Sequence, residues 1–173
     1  RPYFRSGIDV DNKDDESPVT IADREVEQAL RSIIEEQRPE DGIIGEEYGI
    51  KKSKNQYDWV LDPIDGTKSF IIGRPTFGTL IALCENGVPI LGIIDQPILK
   101  ERWVGAKGQK TTFNSREIKT SKCNNLNQAS FAATSPRQLP QLWQTLTEQS
   151  KFFVWGGDCY GFGLLSMGKL DVV

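Results

Sequence analysis

Residues 59–67, with the sequence WVLDPIDGT, constrain the fold more than any other part of the chain. The first three of them read as the end of a buried strand. Pro63 then fixes one backbone angle and removes a donor, so we expect strand pairing to stop there. Asp62 and Asp65 flank this turn. Two like charges about 4 Å apart repel by roughly 4 kcal/mol at an effective dielectric near 20, so the pair favours a compensating divalent cation.

The same stretch predicts the start of a helix after the turn. Gly66 permits a backbone conformation or a close approach that a side chain would block. Thr67 is expected to cap a helix that begins near Lys68, through its hydroxyl. A helix N-terminus offers free N–H groups and partial positive charge, which suit a phosphate. Carboxylates for a metal beside N–H groups for phosphate indicate phosphoryl transfer, although an acidic turn with a capped helix explains the pattern taken alone.

A second acidic segment, residues 45–49 with the sequence GEEYG, follows a short apolar pair. Two adjacent glutamates between glycines can point one side chain inward and the other toward solvent. Mg²⁺ takes oxygen ligands at about 2.0–2.1 Å and keeps several waters. Glu46, Asp62 and Asp65 would supply three carboxylates, and a carbonyl of the turn would supply a fourth oxygen. Such a glutamate pair is more often a solvated loop, but the acidic turn downstream favours the metal site.

The two segments, in this order and at this separation, resemble the inositol monophosphatase superfamily of Mg²⁺-dependent, lithium-sensitive phosphatases. The resemblance extends to Thr20-Ile21-Ala22-Asp23 before the first helix and to Gly156-Gly157-Asp158 near the end, so it covers essentially the whole chain. It implies an α/β fold with an α+β first half: the layered α-β-α-β-α sandwich of the inositol monophosphatase and fructose-1,6-bisphosphatase type, with its C-terminal part incomplete. Full-length members are commonly homodimers.

Further segments resemble the histidinol-phosphate phosphatase branch of that superfamily. They are residues 68–70 (KSF), 73–75 (GRP), 77–83 (FGTLIAL), 94–97 (IDQP) and 101–105 (ERWVG). The branch implies a phosphoric monoester hydrolase that converts histidinol phosphate to histidinol in histidine biosynthesis. Inositol-1-phosphate, or a related small sugar or nucleotide phosphate, is the alternative substrate. A non-catalytic fragment that binds metal and phosphate is an alternative of another class.

The resemblance also implies roles for individual residues. The implied ligands of two or three Mg²⁺ ions are Glu46, Asp62, Asp65 and the carbonyl of Ile64. The implied catalytic residues are Glu46, which holds the activating metal, and Asp23 and Thr67, which orient the attacking water and help to deprotonate it. The implied contacts to the phosphate ester are Asp65, Gly66, Thr67, Gly157 and Asp158.

Two positions depart from the family pattern. Asp158 stands where inositol-type enzymes usually have a small hydroxyl residue, and we expect it to contact an amine or imidazole of the substrate. The family also has a further metal-binding aspartate in a Trp-Asp-like or Tyr-Asp-like motif, beyond the stretch that this sequence covers. Asp171 matches a structural strand position and does not replace it. We therefore expect a chain truncated at both ends, with a complete first metal site and a second site that lacks one ligand needed for activity.

Other motifs fit less well. A haloacid-dehalogenase-type phosphatase needs Asp-x-Asp-Gly-Thr, one residue shorter than the spacing here, which disfavours attack by an aspartate. The chain has no histidine, so a Ser-His-Asp or Cys-His arrangement is impossible. The acidic run at residues 9–15 lacks the required residues of a calcium loop, and residues 156–163 do not match a dinucleotide fingerprint. Asp23 can also be explained as the partner of Thr20 in a capping box.

The composition bounds partners and compartment. A net charge of −3 without a basic stripe argues against nucleic acid. No apolar run approaches the roughly 20 residues that span a bilayer, so no membrane partner is expected. Three cysteines without a Cys-x-x-Cys pair favour a reducing compartment. We expect a cytoplasmic protein, or an organellar one if a targeting segment has been lost.

A shift in composition after Ser121, with a polar stretch over 123–128, predicts two domains. Residues 1–128 are assigned to an N-terminal α+β domain with an antiparallel sheet and the metal site. Its helix is predicted over 23–37, with an apolar stripe of Val26, Leu30, Ile33 and Ile34. A β-meander is predicted over 76–118, with turns at Asn86-Gly87 and Asn114-Ser115.

Residues 129–173 are assigned to the start of a C-terminal α/β domain, truncated here. Strands are predicted at 130–134 and 152–155 and helices at 140–150 and 158–167. The first of these helices is expected to bury Leu142, Trp143 and Leu146.

Overall fold

The computed structural model of the chain describes residues 2–6, 10–12, 18–135 and 143–173. The strands in these stretches are β1 (Val10–Asn12), β2 (Pro18–Thr20), β3 (Gly42–Gly45), β4 (Gly49–Lys51), β5 (Tyr57–Asp65), β6 (Gly78–Glu85), β7 (Val88–Gln96), β8 (Glu101–Ala106), β9 (Thr112–Phe113), β10 (Arg116–Glu117), β11 (Ser130–Ala133) and β12 (Phe152–Trp155). The helices are α1 (Ile21–Gln37), α2 (Thr67–Ile71), α3 (Trp143–Gln149) and α4 (Asp158–Ser166), and a 3-10 turn spans Leu126–Gln128.

An eight-stranded sheet organises most of the chain, in the order β10-β9-β8-β7-β6-β5-β3-β4. Neighbouring strands are antiparallel except β3 and β5, which are parallel. The predicted meander is confirmed. Asn86 and Gly87, and likewise Asn114 and Ser115, have positive φ in consecutive positions, which gives the twist that two-residue hairpins need.

The prediction that strand pairing stops at Pro63 is wrong. β5 continues to Asp65, and its ladder with β6 passes from Asp62 opposite Leu80 to Asp65 opposite Gly78. Three steps on β5 therefore match two steps on β6, which is a bulge of one residue. Pro63 has no N–H to give to the ladder, and the Thr79 hydroxyl donates to its carbonyl at 2.8 Å instead.

Helix α1 begins two residues before the prediction, and its capping box of Thr20 and Asp23 is confirmed. The predicted apolar stripe is only partly right. Ile34 is buried, but Ile33 is 53% exposed. The remaining buried positions of the helix are Ala22, Asp23 and Glu27. Two carboxylates thus occupy the inner face of the helix.

The layers follow from the alternation of side chains along the strands. Leu61 and Ile43 pack with Ile34 of α1 on one face of the large sheet. Trp103 belongs to the opposite face, and there Gly163 of α4 lies so close that an added Cβ would be 2.7 Å from the indole. α4 also contacts β11, which pairs in parallel with β12. The order α1, large sheet, α4, second sheet confirms the predicted α/β class.

The second half of the chain contains its predicted strands and its last helix, each within one residue of the expected ends. The helix predicted at 140–150 begins outside the described residues, as do Leu142 and the side chain of Trp143. Its described part is α3, in which Leu146 is half-buried. Most of the acidic run at 9–15 also lies outside the described residues. The domain boundary at residue 128 stays a prediction.

None of the helices within the described stretches is long and apolar enough to cross a bilayer.

Candidate active site

Four carboxylates from three separate elements meet at the end of β5. Asp23 comes from the first turn of α1, Glu46 from the turn after β3, and Asp62 and Asp65 from β5 itself. The negative charges of Glu46, Asp65 and Asp23 all act on Asp62. The sequence-predicted acidic residues are therefore brought together.

The bulge at Pro63 explains how two aspartates three positions apart serve one site. In a regular strand, side chains at i and i+3 point to opposite faces. The extra residue of the bulge lets the side chains of Asp62 and Asp65 serve the same site, and the charge of Asp65 raises the pKa of Asp62. Bulges commonly re-aim a side chain next to an active site.

Asp62 is the carboxylate most opposed by its surroundings. Burial, and then the charges of Glu46 and Asp65, raise the pKa of Asp62 to about 8. Its Oδ1 atom is buried and has no hydrogen-bond partner among the described residues. A hydrogen bond between the Asp62 and Glu46 side chains also raises the pKa of Asp62, so at neutral pH Asp62 keeps a proton where a compensating cation would fit.

The donor set suits a hard cation, because all the candidate side-chain donors are carboxylate oxygens. Within the described part of the chain, however, no three acidic, cysteine or histidine side chains already converge closely enough to hold an ion. The residues fit Mg²⁺ by the chemistry of their donor atoms, and their side chains would have to move closer together to bind it.

Asp23 is almost fully buried at the start of α1. Its Oδ2 accepts the Thr20 backbone N–H at 2.8 Å and the Thr20 hydroxyl at 2.6 Å. Burial raises the pKa of Asp23, the bonds from Thr20 oppose that rise, and the charge of Glu46 adds to it. The capping role is thus present, and it holds the carboxylate beside the other acidic residues.

The start of α2 differs from the prediction at Thr67. The capping residue is Gly66, with φ of 83°, and no side chain caps the helix. The Thr67 hydroxyl instead donates to the carbonyl of Ile64 at 3.1 Å. The prediction of a Thr67 cap is wrong because α2 begins one residue earlier than expected, so Thr67 is its first residue and Gly66 is its cap. Buried Phe70 and Phe77, with ring centroids 4.9 Å apart, anchor the helix, at about 1.5–3 kcal/mol for each buried ring.

The loop before α4 completes the site. Gly156, Gly157 and Asp158 all have positive φ, at 89°, 132° and 46°. A non-glycine residue in this region is uncommon and often marks a functional position. A Cβ added at Gly66 would lie 2.8 Å from Asp158 Cγ, so only glycine allows the two loops to approach.

Asp158 is held by two hydroxyls. Its Oδ2 accepts from the Ser69 hydroxyl at 2.6 Å and, more weakly, from the Thr76 hydroxyl at 3.5 Å. The next backbone N–H, of Cys159, donates to Asp65 Oδ2 at 2.5 Å. Burial raises the pKa of Asp65, the Cys159 bonds lower it, and the charges of Asp158 and Glu46 raise it. The predicted substrate contacts therefore lie along one junction between α2 and α4.

Sequence reasoning missed three contributors to the site: Ser69, the N–H of Cys159, and Glu27. The first two depend on contacts between residues more than 80 positions apart, which no local pattern reveals. Glu27 could have been found, because it is a charged residue four positions after Asp23 on the inner face of the same helix.

Comparisons with known proteins agree with this architecture. A sequence model described as the inositol monophosphatase family matches residues 1–172. The Arabidopsis thaliana protein named bifunctional phosphatase IMPL2, chloroplastic, is 49% identical over 179 residues, covering 100% of this chain and 52% of that protein. A Mycobacterium tuberculosis histidinol-phosphatase is 46% identical over 100 residues, covering 58% of this chain and 38% of that protein.

A solved structure shares the fold. An inositol monophosphatase from Zymomonas mobilis superposes with a TM-score of 0.86 at 50% identity, covering 100% of this chain and 69% of that one. This chain spans about half the length of the curated relatives that it matches.

Proposed function

The chain belongs to the inositol monophosphatase family, and from that membership we propose that it hydrolyses a small phosphate monoester with Mg²⁺, with histidinol phosphate as the substrate. The observation that carries the proposal is the mutual charge repulsion of Glu46, Asp62 and Asp65 at the end of β5, beside the start of α2. A pKa of about 8 means that Asp62 keeps a proton at neutral pH, and a divalent cation would supply the compensating positive charge in place of that proton. The adjoining helix start suits a phosphate.

In this proposal Glu46, Asp62, Asp65 and the Ile64 carbonyl hold the metal. The Ile64 carbonyl accepts one bond from Thr67, and a carbonyl oxygen has two lone pairs, so it keeps capacity for a cation. A bound divalent ion lowers the pKa of water and neutralises phosphoryl oxygens. The carboxylates would also help to position the nucleophile relative to the ester, and positioning is a main part of catalysis in phosphoryl transfer.

Thr67 and Asp23 are proposed to orient the attacking water. The Thr67 hydroxyl donates a hydrogen bond to the Ile64 carbonyl, so its oxygen can accept a hydrogen bond from water. Asp23 is fixed by Thr20 and has further lone pairs with which to accept a proton. Its raised pKa suits a general base better than that of an exposed aspartate.

The phosphate is proposed to contact the N–H groups of Gly66 and Thr67 at the start of α2. The left-handed Gly66 turns the chain so that a loop without side chains faces the acidic cluster. Gly157 likewise adds no side chain to the facing loop, in which the Asp158 carboxylate lies against Gly66.

The choice of histidinol phosphate rests on Asp158. Its carboxylate is oriented by Ser69 and Thr76 and leans over the Gly66 turn. A fixed carboxylate at this point favours a cationic substrate, since charge-assisted hydrogen bonds to an ammonium or imidazolium are about twice as strong as neutral ones. The histidinol-phosphatase relative supports the same substrate.

An inositol phosphate is the second candidate, because the similar Zymomonas structure is an inositol monophosphatase. Inositol carries no positive charge, so Asp158 would have to accept hydroxyl bonds only. The two substrates therefore make opposite demands on this side chain.

The test is phosphate release from histidinol phosphate and from inositol-1-phosphate, with Mg²⁺ and with a chelator. We expect Mg²⁺-dependent release, faster from histidinol phosphate. Asp158→Asn should lower the rate of phosphate release roughly tenfold or more with histidinol phosphate and little with inositol phosphate, because only histidinol phosphate loses an ion pair. Faster phosphate release from inositol phosphate would contradict the assignment of histidinol phosphate as the substrate. No release from either ester with Mg²⁺ would favour a non-catalytic metal- and phosphate-binding protein.

We also propose a homodimer in a reducing compartment. All three cysteines are free, and the Arabidopsis relative is chloroplastic, so a plastid is the alternative to the cytoplasm. Size-exclusion chromatography with light scattering tests the dimer.

A further inference from the structure

Glu27 is a buried carboxylate that the proposed chemistry does not use. It lies in the middle of α1 and is 0% exposed. Buried charges are almost always paired, and this one pairs with Arg31 one helical turn away, at 2.8 Å. Its remaining bonds leave the helix and reach the acidic turn after β3.

Glu27 holds the N–H groups that directly follow Glu46. Its Oε2 accepts from the Glu47 N–H at 2.7 Å, and its Oε1 accepts from the Tyr48 N–H at 3.1 Å. Hydrogen bonds from backbone N–H groups to a buried carboxylate are the strong, charge-assisted kind. The turn is therefore fixed at two consecutive peptides on the C-terminal side of Glu46.

The other side of the turn is shaped to admit this carboxylate. A Cβ added at Gly45 would lie 1.9 Å from Glu27 Oε1, so glycine is the residue that leaves room for it. The Glu46 N–H is held by the Leu61 carbonyl of β5 at 3.3 Å. Arg31 donates to the Gly49 carbonyl, at the far end of the turn. Every peptide group next to Glu46 is thus tied either to α1 or to β5.

The same helix face carries Asp23. Residues 23, 27 and 31 are four apart and follow one stripe of the helix. A rigid helix therefore fixes the distance between Asp23, which faces the proposed water, and the turn that bears Glu46.

From these contacts we propose that Glu27 is a positioning residue. It holds Glu46 in place beside Asp62 and fixes the distance between Glu46 and Asp23. This inference rests on the proposed function, because it gives Glu46 its metal-holding role. Glu27 itself touches neither metal nor substrate. Residues that orient metal ligands typically cost 10–100-fold in metal affinity or activity when they are changed.

The test uses two variants and a matched control in the full chain. Glu27→Gln keeps the shape but replaces one of the two acceptor oxygens with a donor, so one of the N–H groups at 47 and 48 loses its acceptor. Gly45→Ala keeps the charge but pushes the carboxylate away. Glu36→Gln removes an exposed glutamate from the same helix and serves as the control. Calorimetric titration with MgCl₂ and hydrogen–deuterium exchange of the amides at 47 and 48 are measured for each.

We expect Glu27→Gln and Gly45→Ala each to weaken Mg²⁺ binding by roughly 10–100-fold and to speed exchange at both amides, while Glu36→Gln changes neither. Unfolding in urea identifies any variant that is merely unstable. Wild-type Mg²⁺ affinity in a folded Glu27→Gln would overturn this inference and leave the proposed function standing. A wild-type chain that binds no Mg²⁺ would overturn the proposed function, and this inference with it.

Discussion

Asp62 and Asp41 experience opposite environments in this protein. Asp62 has neighbours of its own sign, and burial together with those charges raises its pKa to about 8. Asp41 is almost fully buried, and burial alone would raise its pKa as well. Hydrogen bonds from Asn55 and Trp59, and then from Arg38, outweigh burial and lower the pKa of Asp41 below its usual value. Asp41 therefore stabilises the fold, whereas Asp62 has no compensating charge in the absence of a cation. A strongly raised pKa of this kind is typical of functional sites.

At this scale we predict that Asp41→Asn destabilises the fold by about 1–3 kcal/mol at pH 7, because the Trp59 indole and the Arg38 side chain lose a charged acceptor. A lowered folded-state pKa gives stability that is fully present above the unfolded value, near 4, and is lost as the pH falls through the folded value. Urea unfolding at several pH values between 7 and 3 measures the difference between variant and wild type.

The gap in unfolding free energy between wild type and Asp41→Asn should be constant from pH 7 to 5 and should disappear below pH 4. Asp11→Asn, which removes an exposed partner of Arg24, is the control and should change stability much less. A gap that widens in acid would contradict the sign of the Asp41 shift.

Among the elements, α4 does the most to join the two halves of the site. Its first residues form the loop opposite Gly66, and its middle rests on the large sheet through Gly163 and Trp103. Glycine in a helix normally costs stability relative to alanine. Its presence at residue 163 therefore reflects the close approach of helix and sheet.

We predict that Gly163→Ala destabilises the protein by about 1–3 kcal/mol, since the new methyl group would overlap the indole. It should also reduce the proposed phosphatase activity, because α4 would move away from the sheet and take Asp158 with it. Gly161→Ala is the matched control, since its Cβ would meet only Val173, at 3.5 Å. It should be neutral or stabilising by up to about 1 kcal/mol. Thermal unfolding of the two variants gives the comparison, and equal midpoints would contradict the packing described.

Local elements were predictable wherever local chemistry decides them. Asn86-Gly87 specifies a hairpin turn through its positive φ values, and Thr20 with Asp23 specifies a helix start. The bulge at Pro63 was not predictable, because its register depends on β6. The expected Thr67 cap failed because α2 begins at Thr67 and is capped by Gly66. The position of Glu27 on the inner face of α1 could be predicted from its spacing to Asp23, but its partners at 47 and 48 could not, since they belong to another element.

Across the whole molecule, the site depends on contacts between distant parts of the chain. Asp23, Glu46, Asp62 and Asp158 span most of the sequence, and each is held by residues of another element. Their order along the chain was visible in the sequence motifs, and their residue types indicated the chemistry. Their mutual distances are set by packing of α1 and α4 against the sheet, which motifs do not encode.

Packing on this scale also predicts the reactivity of the thiols. Cys84 and Cys159 are buried and Cys123 is exposed. Burial, and then the charge of Asp65, raises the pKa of the Cys159 thiol, so its reactive thiolate is disfavoured. A thiol reagent should therefore modify Cys123 quickly in the native protein and all three cysteines after unfolding in urea. Rapid modification of Cys159 in the folded protein, located by mass spectrometry, would contradict the arrangement at the start of α4.

In the proposed function, the carboxylates at the end of β5 hold a divalent cation beside the start of α2. Calorimetric titration of the metal-free protein with MgCl₂, compared with Asp62→Asn, tests it most directly. We predict saturable binding by the wild type and a loss of at least roughly tenfold in the variant, which keeps the shape of the side chain but not its charge. Equal Mg²⁺ affinity in the two proteins, or no binding by the wild type, would contradict the claim.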